Sequence, residues 1–320
     1  EASRLCGAQP VLAGSAETLL GMAKRMRERR FTAALFGAFS AGKSSFANSL
    51  LGADALPVSP NPTTAAINII MPPTQERPHG TAVITMKPRE AVLADAAHAL
   101  AAIGFETAPN ASPEDLIRAA RKAAASGSVH PGGRAHLSFL RAVSAGYREA
   151  EPLLGTEFAA GMNEFRLFAA EEEKSAFVER IVLHYDSQLA RAGVSIVDTP
   201  GADSINARHT GVAFNYLKNA DAVFFVTYYN HAFSRADRQF LEQIGRVKDA
   251  FELDKMFFIV NAADLAEDEA ELEAVLEHVR NNLAAFGIRN PRLFPVSSLQ
   301  ALEARIEGDE RKLAASGLAA

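Results

Sequence analysis

The stretch Gly37-Ala38-Phe39-Ser40-Ala41-Gly42-Lys43-Ser44-Ser45 places a lysine and two hydroxyls directly after the second of two glycines. Glycines at these positions let the backbone curl so that successive N–H groups face inward, an arrangement that binds phosphate. Lys43 would reach the β- and γ-phosphates of a nucleoside triphosphate, and the Ser44 hydroxyl would ligate Mg²⁺. The apolar run Phe31 to Phe36 before the loop predicts a strand, and Phe46 to Leu51 after it predicts a helix. Strand, loop, Lys-Ser pair and helix agree, which a plain glycine turn would not require.

Three further stretches follow predicted strands. Asp198-Thr199-Pro200-Gly201 has the chemistry of a γ-phosphate sensor: a buried carboxylate holds a water of Mg²⁺, and the Gly201 amide faces the phosphate. Asn261-Ala262-Ala263-Asp264 stands where GTP-binding proteins carry Asn-Lys-x-Asp. The Asp264 carboxylate would accept from guanine N1–H and the 2-amino group, a pattern adenine lacks, while Ala262 removes the lysine stem that packs on the base. Capping of a following turn is compatible with that role. Ser297 and Ser298 end the last predicted strand where a short base-contacting loop is expected, and a helix cap at Ser298 is the competing reading. Ala202 follows Gly201, so the water-orienting glutamine of Ras-like enzymes is absent. From the proline-rich segment 55–64, Thr64, with Thr63 as the alternative, is the candidate to hold the water and Mg²⁺.

These residues need a scaffold. The chain has 320 residues, with 48% hydrophobic and 22% charged, enough for one large core carrying an insertion. A net charge of −5 argues against a general nucleic-acid binder, and no apolar run approaches the ~20 residues of a membrane span. The lone Cys6 cannot form an internal disulfide and fits a reduced, cytosolic setting. The chain begins at Glu1 and ends in an Ala-rich tail, so we expect an excerpt of a longer protein. Eight histidines are scattered without metal-ligand spacing.

The periodicity predicts an amphipathic helix over Val11 to Arg30 with a basic end. Ala65 to Met71 and Thr81 to Met86 read as a β-hairpin. Ala-rich stretches from about Arg89 to Lys174 read as a helical insertion, with one helix started by Ser112-Pro113-Glu114-Asp115. Arg180 to Tyr185 and Gly193 to Val197 read as an antiparallel pair. Ala222 to Val226, Met256 to Val260 and Leu293 to Val296 alternate with helices, the first of them opened by Ser234 and Asp237. This implies a mostly parallel sheet covered on both faces, with ligands at the carboxyl ends of its strands. Leu299, Leu302, Ile306 and Leu313 predict a closing helix.

With these residues in hand, the sequence resembles the GTPase head of dynamin-family proteins, closest to bacterial dynamin-like proteins, including those with two heads in tandem. The resemblance rests on Phe39 to Ser45, Leu56-Pro57-Val58, Pro62 to Ala65, Asp198 to Asn206, Thr227 to His231 and Phe257 to Leu265. It implies an α/β, three-layer phosphate-loop GTPase domain over 31–299, with an insertion at about 89–177. Helices 1–30 and 300–320 would pair as part of a neck. It also implies that Ser40 stabilises transition-state charge, with Na⁺ or K⁺ as a possible aid, beside Lys43 and Thr64 in catalysis.

Ser44, Thr64 and Asp198 would hold Mg²⁺. The nucleotide set would comprise Gly37, Phe39, Ser40, Ala41, Gly42, Lys43, Ser44, Ser45, Thr63, Thr64, Asp198, Gly201, Asn261, Asp264, Ser297 and Ser298. Two heads would form a homodimer across GTP or GDP. Lipid would be met through regions outside this chain, at the inner face of the cell membrane. Eukaryotic dynamins carry glutamine where this chain has Phe39. A slow small-GTPase-like switch and a binding-only pseudo-GTPase are the alternative functions.

Overall fold

The computed structural model describes residues 20–21, 23–24, 26–28, 30–58, 66–108, 111–126, 133–201, 216, 218–246 and 253–318. A nine-stranded, mostly parallel sheet runs through it in the order β4-β3-β5-β2-β6-β1-β7-β8-β9. The strands are β1 (Phe31–Phe36), β2 (Ile67–Met71), β3 (Thr81–Met86), β4 (Glu157–Ala160), β5 (Val178–His184), β6 (Val194–Asp198), β7 (Ala222–Tyr228), β8 (Met256–Asn261) and β9 (Arg292–Val296). The principal helices are α1 (Lys43–Leu51), α2 (Arg89–Ala102), α3 (Pro113–Ser126), α4 (Arg134–Ala150), α5 (Met162–Ala170), α6 (Arg235–Arg246), α7 (Glu269–Ala285), α8 (Ser298–Glu307) and α9 (Glu310–Ala315).

Strand alternation splits the core into two layers. Leu35 points to the face covered by α1 and the insertion, together with Phe46 and Ile70. Ala34 and Phe36 point to the other face, where Phe225, Phe258, Phe240 and Leu276 meet them. Phe240 of α6 stacks on Phe36 at 5.3 Å and on Phe225 at 5.6 Å between ring centroids. Burial of this kind on both faces is what the continuous apolar runs of β1, β7 and β8 require. All three, with β6 and β9, are parallel, so their carboxyl ends gather at one edge.

Two predicted pairings are not formed. β2 and β3 do not make a hairpin, because β5 lies between them, antiparallel to β3 and parallel to β2. β5 and β6 do not pair either, because β2 lies between them, antiparallel to β6. The cause is common to both: the connections 72–80 and 185–193 are too long to enforce a tight turn, so the two strand pairs interleave. The second connection is partly helical, with the Ser187 hydroxyl accepting from Ala190 N at 3.1 Å.

The insertion is helical as expected, but it also contributes the edge strand β4, with Ala160 opposite Ala82. Its four residues, Glu-Phe-Ala-Ala, carry no strand period. Ser112 does start α3, its hydroxyl accepting from Asp115 N at 3.2 Å. Residues 20–27 are helical wherever they are described, but the predicted end is not, with Glu28 in a turn and Arg30 outside any helix; residues 11–19 lie outside the described residues. The closing helix is broken at Gly308, whose φ is 72°, and Asp309 caps α9. α8 packs against α1.

The insertion is tied to the sheet by a buried ion pair. Lys87 Nζ sits 3.2 Å from Asp95 Oδ2, with side chains only 3% and 7% exposed, and also donates to Ala176 O at 2.9 Å. Burial pushes the Lys87 ammonium below its ordinary range, and Asp95 opposes that shift. Lys87→Met would leave Asp95 buried without its cation and should cost about 3–5 kcal/mol in urea denaturation. The double variant Lys87→Met/Asp95→Leu should recover most of it, which a double-mutant cycle measures.

Candidate nucleotide-binding site

The phosphate loop leaves β1 and forms one tight turn, Phe39–Ala41, before α1 begins. Gly37 has φ 142°, and a Cβ there would lie 1.9 Å from Val226 O of the neighbouring strand. Gly42 has φ 83°, and its Cβ would lie 2.2 Å from Asn261 Nδ2. Both glycines are therefore required by space as well as by backbone conformation. Lys43, 5% exposed, folds back over the loop and donates to Gly37 O at 3.1 Å and Ala38 O at 2.9 Å.

Asp198 ends β6 beside β1. Its Oδ2 accepts from Ser44 Oγ at 2.6 Å, and Thr199 Oγ1 donates to Leu35 O at 2.7 Å, which fixes the strand end against the loop. Burial pushes the Asp198 carboxyl up, opposed by the charge of Lys43 and by the Ser44 hydroxyl. Asp198 Oδ1 is buried and has no partner among the described residues. A hydroxyl and a carboxylate with a spare oxygen form an all-oxygen donor set, the chemistry that suits Mg²⁺. The residues present fit that cation.

Asn261 joins the base side to the phosphate side. Its Nδ2 donates to Ala41 O at 3.0 Å, while its Oδ1 accepts from Ser298 N at 3.2 Å and Ser298 Oγ at 2.7 Å. Ala262 then takes a left-handed conformation, φ 62°, that ends β8 and starts the turn Ala263–Leu265. For a residue with a Cβ that conformation costs about 1–2 kcal/mol, the kind of strain that clusters at functional sites. The Asp264 carboxylate is exposed on the cavity wall.

One cavity of about 410 Å³ is lined by Phe39, Ser40, Gly42, Lys43, Ser44, Ser45, Asp198, Gly201, Asn261, Asp264 and Ser298. The structure thus brings together eleven of the sequence-predicted residues from four separate stretches. Gly37 and Ala41 serve it through backbone and do not line it. Ser297 does not line it, and it is Ser297, not Ser298, that caps α8, accepting from Gln300 N at 3.3 Å. Thr63 and Thr64 lie outside the described residues.

Sequence reasoning missed several supports. Asp237, read only as a helix starter, is 1% exposed and accepts from Ala38 N at 3.3 Å and Thr227 Oγ1 at 3.1 Å, so it holds the loop from behind. The Ser-x-x-Asp spacing of Ser234 and Asp237 is the signal the sequence offers, and the two side chains do bond each other's backbone N–H. Asn48, fully buried, accepts from Ala55 N and Leu56 N and donates to Leu56 O, shaping the chain that brings Pro57 and Val58 to the cavity. Tyr228, Leu265 and Leu299 also line the cavity.

A phosphate loop at the carboxyl edge of a parallel sheet, with a facing aspartate and an Asn-x-x-Asp turn, defines a GTPase-type nucleotide site. The model of the dynamin family matches residues 33–263, and the chain belongs to that family. It is a GTPase domain, and its reaction is GTP hydrolysis. It is 40% identical over 286 residues to Dynamin-like protein A of Bacillus subtilis (strain 168), covering 89% of this chain and 23% of that protein. It is 30% identical over 166 residues to the bacterial dynamin-like protein of Nostoc punctiforme, covering 46% of this chain and 23% of that one. The chain therefore spans about a quarter of the length of these relatives. Among solved structures it resembles an oligomerised bacterial dynamin pair described as sensing and tethering membranes, with TM-score 0.68 and 20% identity, over 94% of this chain and 45% of that one. That likeness establishes the fold.

Asp264→Asn should weaken GDP binding by roughly 10- to 100-fold, the ~1–3 kcal/mol of a buried polar group left unmatched. The same variant should gain xanthosine diphosphate, whose 2-oxo group accepts from an amide, in a fluorescence competition assay.

Proposed function

We propose that this domain hydrolyses GTP with Mg²⁺ and that two heads pair across their nucleotides to complete the site. The observation that carries the pairing is Phe39: the cavity wall at the phosphate loop presents a phenyl ring where a carboxamide would reach the attacking water. Ala202 after Gly201 removes the other usual source of that amide. A second copy is the simplest supplier of the missing polar group, and the oligomeric assembly of the structural neighbour supports that reading.

In this scheme the N–H groups of the phosphate loop and the α1 terminus hold the α- and β-phosphates, and Lys43 moves from the Gly37 and Ala38 carbonyls onto the β- and γ-phosphates. Bound at Ser44, Asp198 and Thr64 (or Thr63), Mg²⁺ would neutralise charge on the phosphate oxygens. Gly201 N–H would meet the γ-phosphate. Ser40 would stabilise charge developing in the transition state, with Na⁺ or K⁺ as the family's possible aid. Asp264 would select guanine, and Leu265 and Leu299, respectively 43% and 63% exposed in the free protein, would supply the apolar faces left by Ala262.

In the full-length protein, head pairing would drive membrane tethering, fusion or remodelling at the cytoplasmic face, through lipid contacts outside this chain. No helix among the described residues is long and apolar enough to cross a membrane.

Turnover of GTP and ATP across protein concentration tests the reading. Activity per molecule should rise with concentration for GTP alone, and GDP with aluminium fluoride should shift the domain to a dimer in size-exclusion chromatography. A flat, slow rate with a monomer would replace pairing with a switch-like cycle, and equal use of ATP would overturn the guanine assignment.

A further inference from the structure

β2 carries one polar side chain in an otherwise apolar strand, Ile67-Asn68-Ile69-Ile70-Met71. Asn68 is 7% exposed, and its Oδ1 is buried without a hydrogen-bond partner among the described residues. An acceptor left this way carries an uncompensated desolvation cost, and a bound ligand in the cavity it faces is a natural donor.

Its position says which. β2 runs antiparallel to β6 with Asn68 directly opposite Asp198, and directly opposed residues point to the same face of the sheet. Ile67 and Ile69 turn to the opposite core, while Ile70 and Ile196 share the α1 face with this pair. Asn68 and Asp198 both line the nucleotide cavity, beside Ser44. Asp198 Oδ2 is taken by Ser44, but its Oδ1 is, like Asn68 Oδ1, without a donor among the described residues. The nearby ammonium of Lys43 donates to the Gly37 and Ala38 carbonyls. Two neighbouring orphan acceptors in one corner of a cavity need donors from a ligand. Mg²⁺ keeps several of its waters when bound, and each water brings two O–H donors.

We propose that Asn68 is a positioning residue for the cation: its Oδ1 accepts from a water of the Mg²⁺ shell alongside Asp198 Oδ1. This rests on the Mg²⁺ reading above. Partners of this outer kind orient the inner ones, and their loss typically weakens metal binding by about 10- to 100-fold. The amide serves here better than a second carboxylate would, because it adds an acceptor without placing a like charge against Asp198.

The test is a Mg²⁺ titration of methylanthraniloyl-GDP fluorescence, with a parallel series in EDTA. Asn68→Leu, which keeps the branched shape and removes the acceptor, should raise the Mg²⁺ midpoint on the order of tenfold, with the loss confined to the cation-dependent part of binding. Asn68→Ala should do the same if the leucine variant does not fold. Asn68→Asp, which keeps the acceptor but sets a like charge against Asp198, should raise the midpoint less than Asn68→Leu does. A wild-type midpoint in a folded Leu or Ala variant overturns the proposal, as does an equal loss with and without cation. Wild-type protein that binds the probe identically with Mg²⁺ and with EDTA would instead overturn the cation reading itself.

Discussion

A phosphate loop can bind anions only if enough of its N–H groups stay uncommitted, so apart from Ala38 N–H on Asp237 and Ala41 N–H on Ala38 O, the bonds that anchor it run through its carbonyls. That constraint organises the chain. Lys43 Nζ takes the carbonyls of Gly37 and Ala38, and Asn261 Nδ2 takes that of Ala41. Each bond reaches out of the loop to a different element: α1 for the lysine, the end of β8 for the asparagine. Because Asn261 also receives Ser298, the loop, the base-side turn and the start of α8 are set by one carboxamide. The 2.2 Å gap that a Cβ on Gly42 would have to Asn261 Nδ2 shows how little slack this joint has.

The same logic explains why the supports lie far apart in sequence. Asp237 reaches Ala38 across 199 residues, and Thr199 reaches Leu35 across 164. The parallel strands bring these residues to one edge of the sheet. Burial of Asp198 and Asp237 raises both carboxyls above their ordinary range, which is a cost to the free fold. For Asp198, a bound cation would offset it.

Much of this was legible in the chain. Runs such as Ala222 to Val226 have one reading in a covered sheet, and glycine, lysine and hydroxyl at fixed spacing have one chemistry. What was not legible depends on long-range pairing. A strand shows its faces by alternation but does not show its neighbour, so β2 and β5 were paired with their nearest partners in sequence instead of interleaving. β4 is too short to show any period. Asn48, Asn68 and Asp237 look like ordinary polar residues until burial identifies them. Phe39 and Ala262, by contrast, stood out at once as departures inside recognisable motifs, and both line the cavity.

The central claim is that this one loop, closed by Lys43, is where nucleotide binds. Isothermal titration of GDP into Lys43→Ala, with a thermal melt to confirm the fold, tests it most directly. The account predicts no saturable binding at concentrations that saturate the wild-type domain, because the ammonium that would move onto the β- and γ-phosphates is lost. A folded variant that binds GDP with wild-type affinity would contradict it.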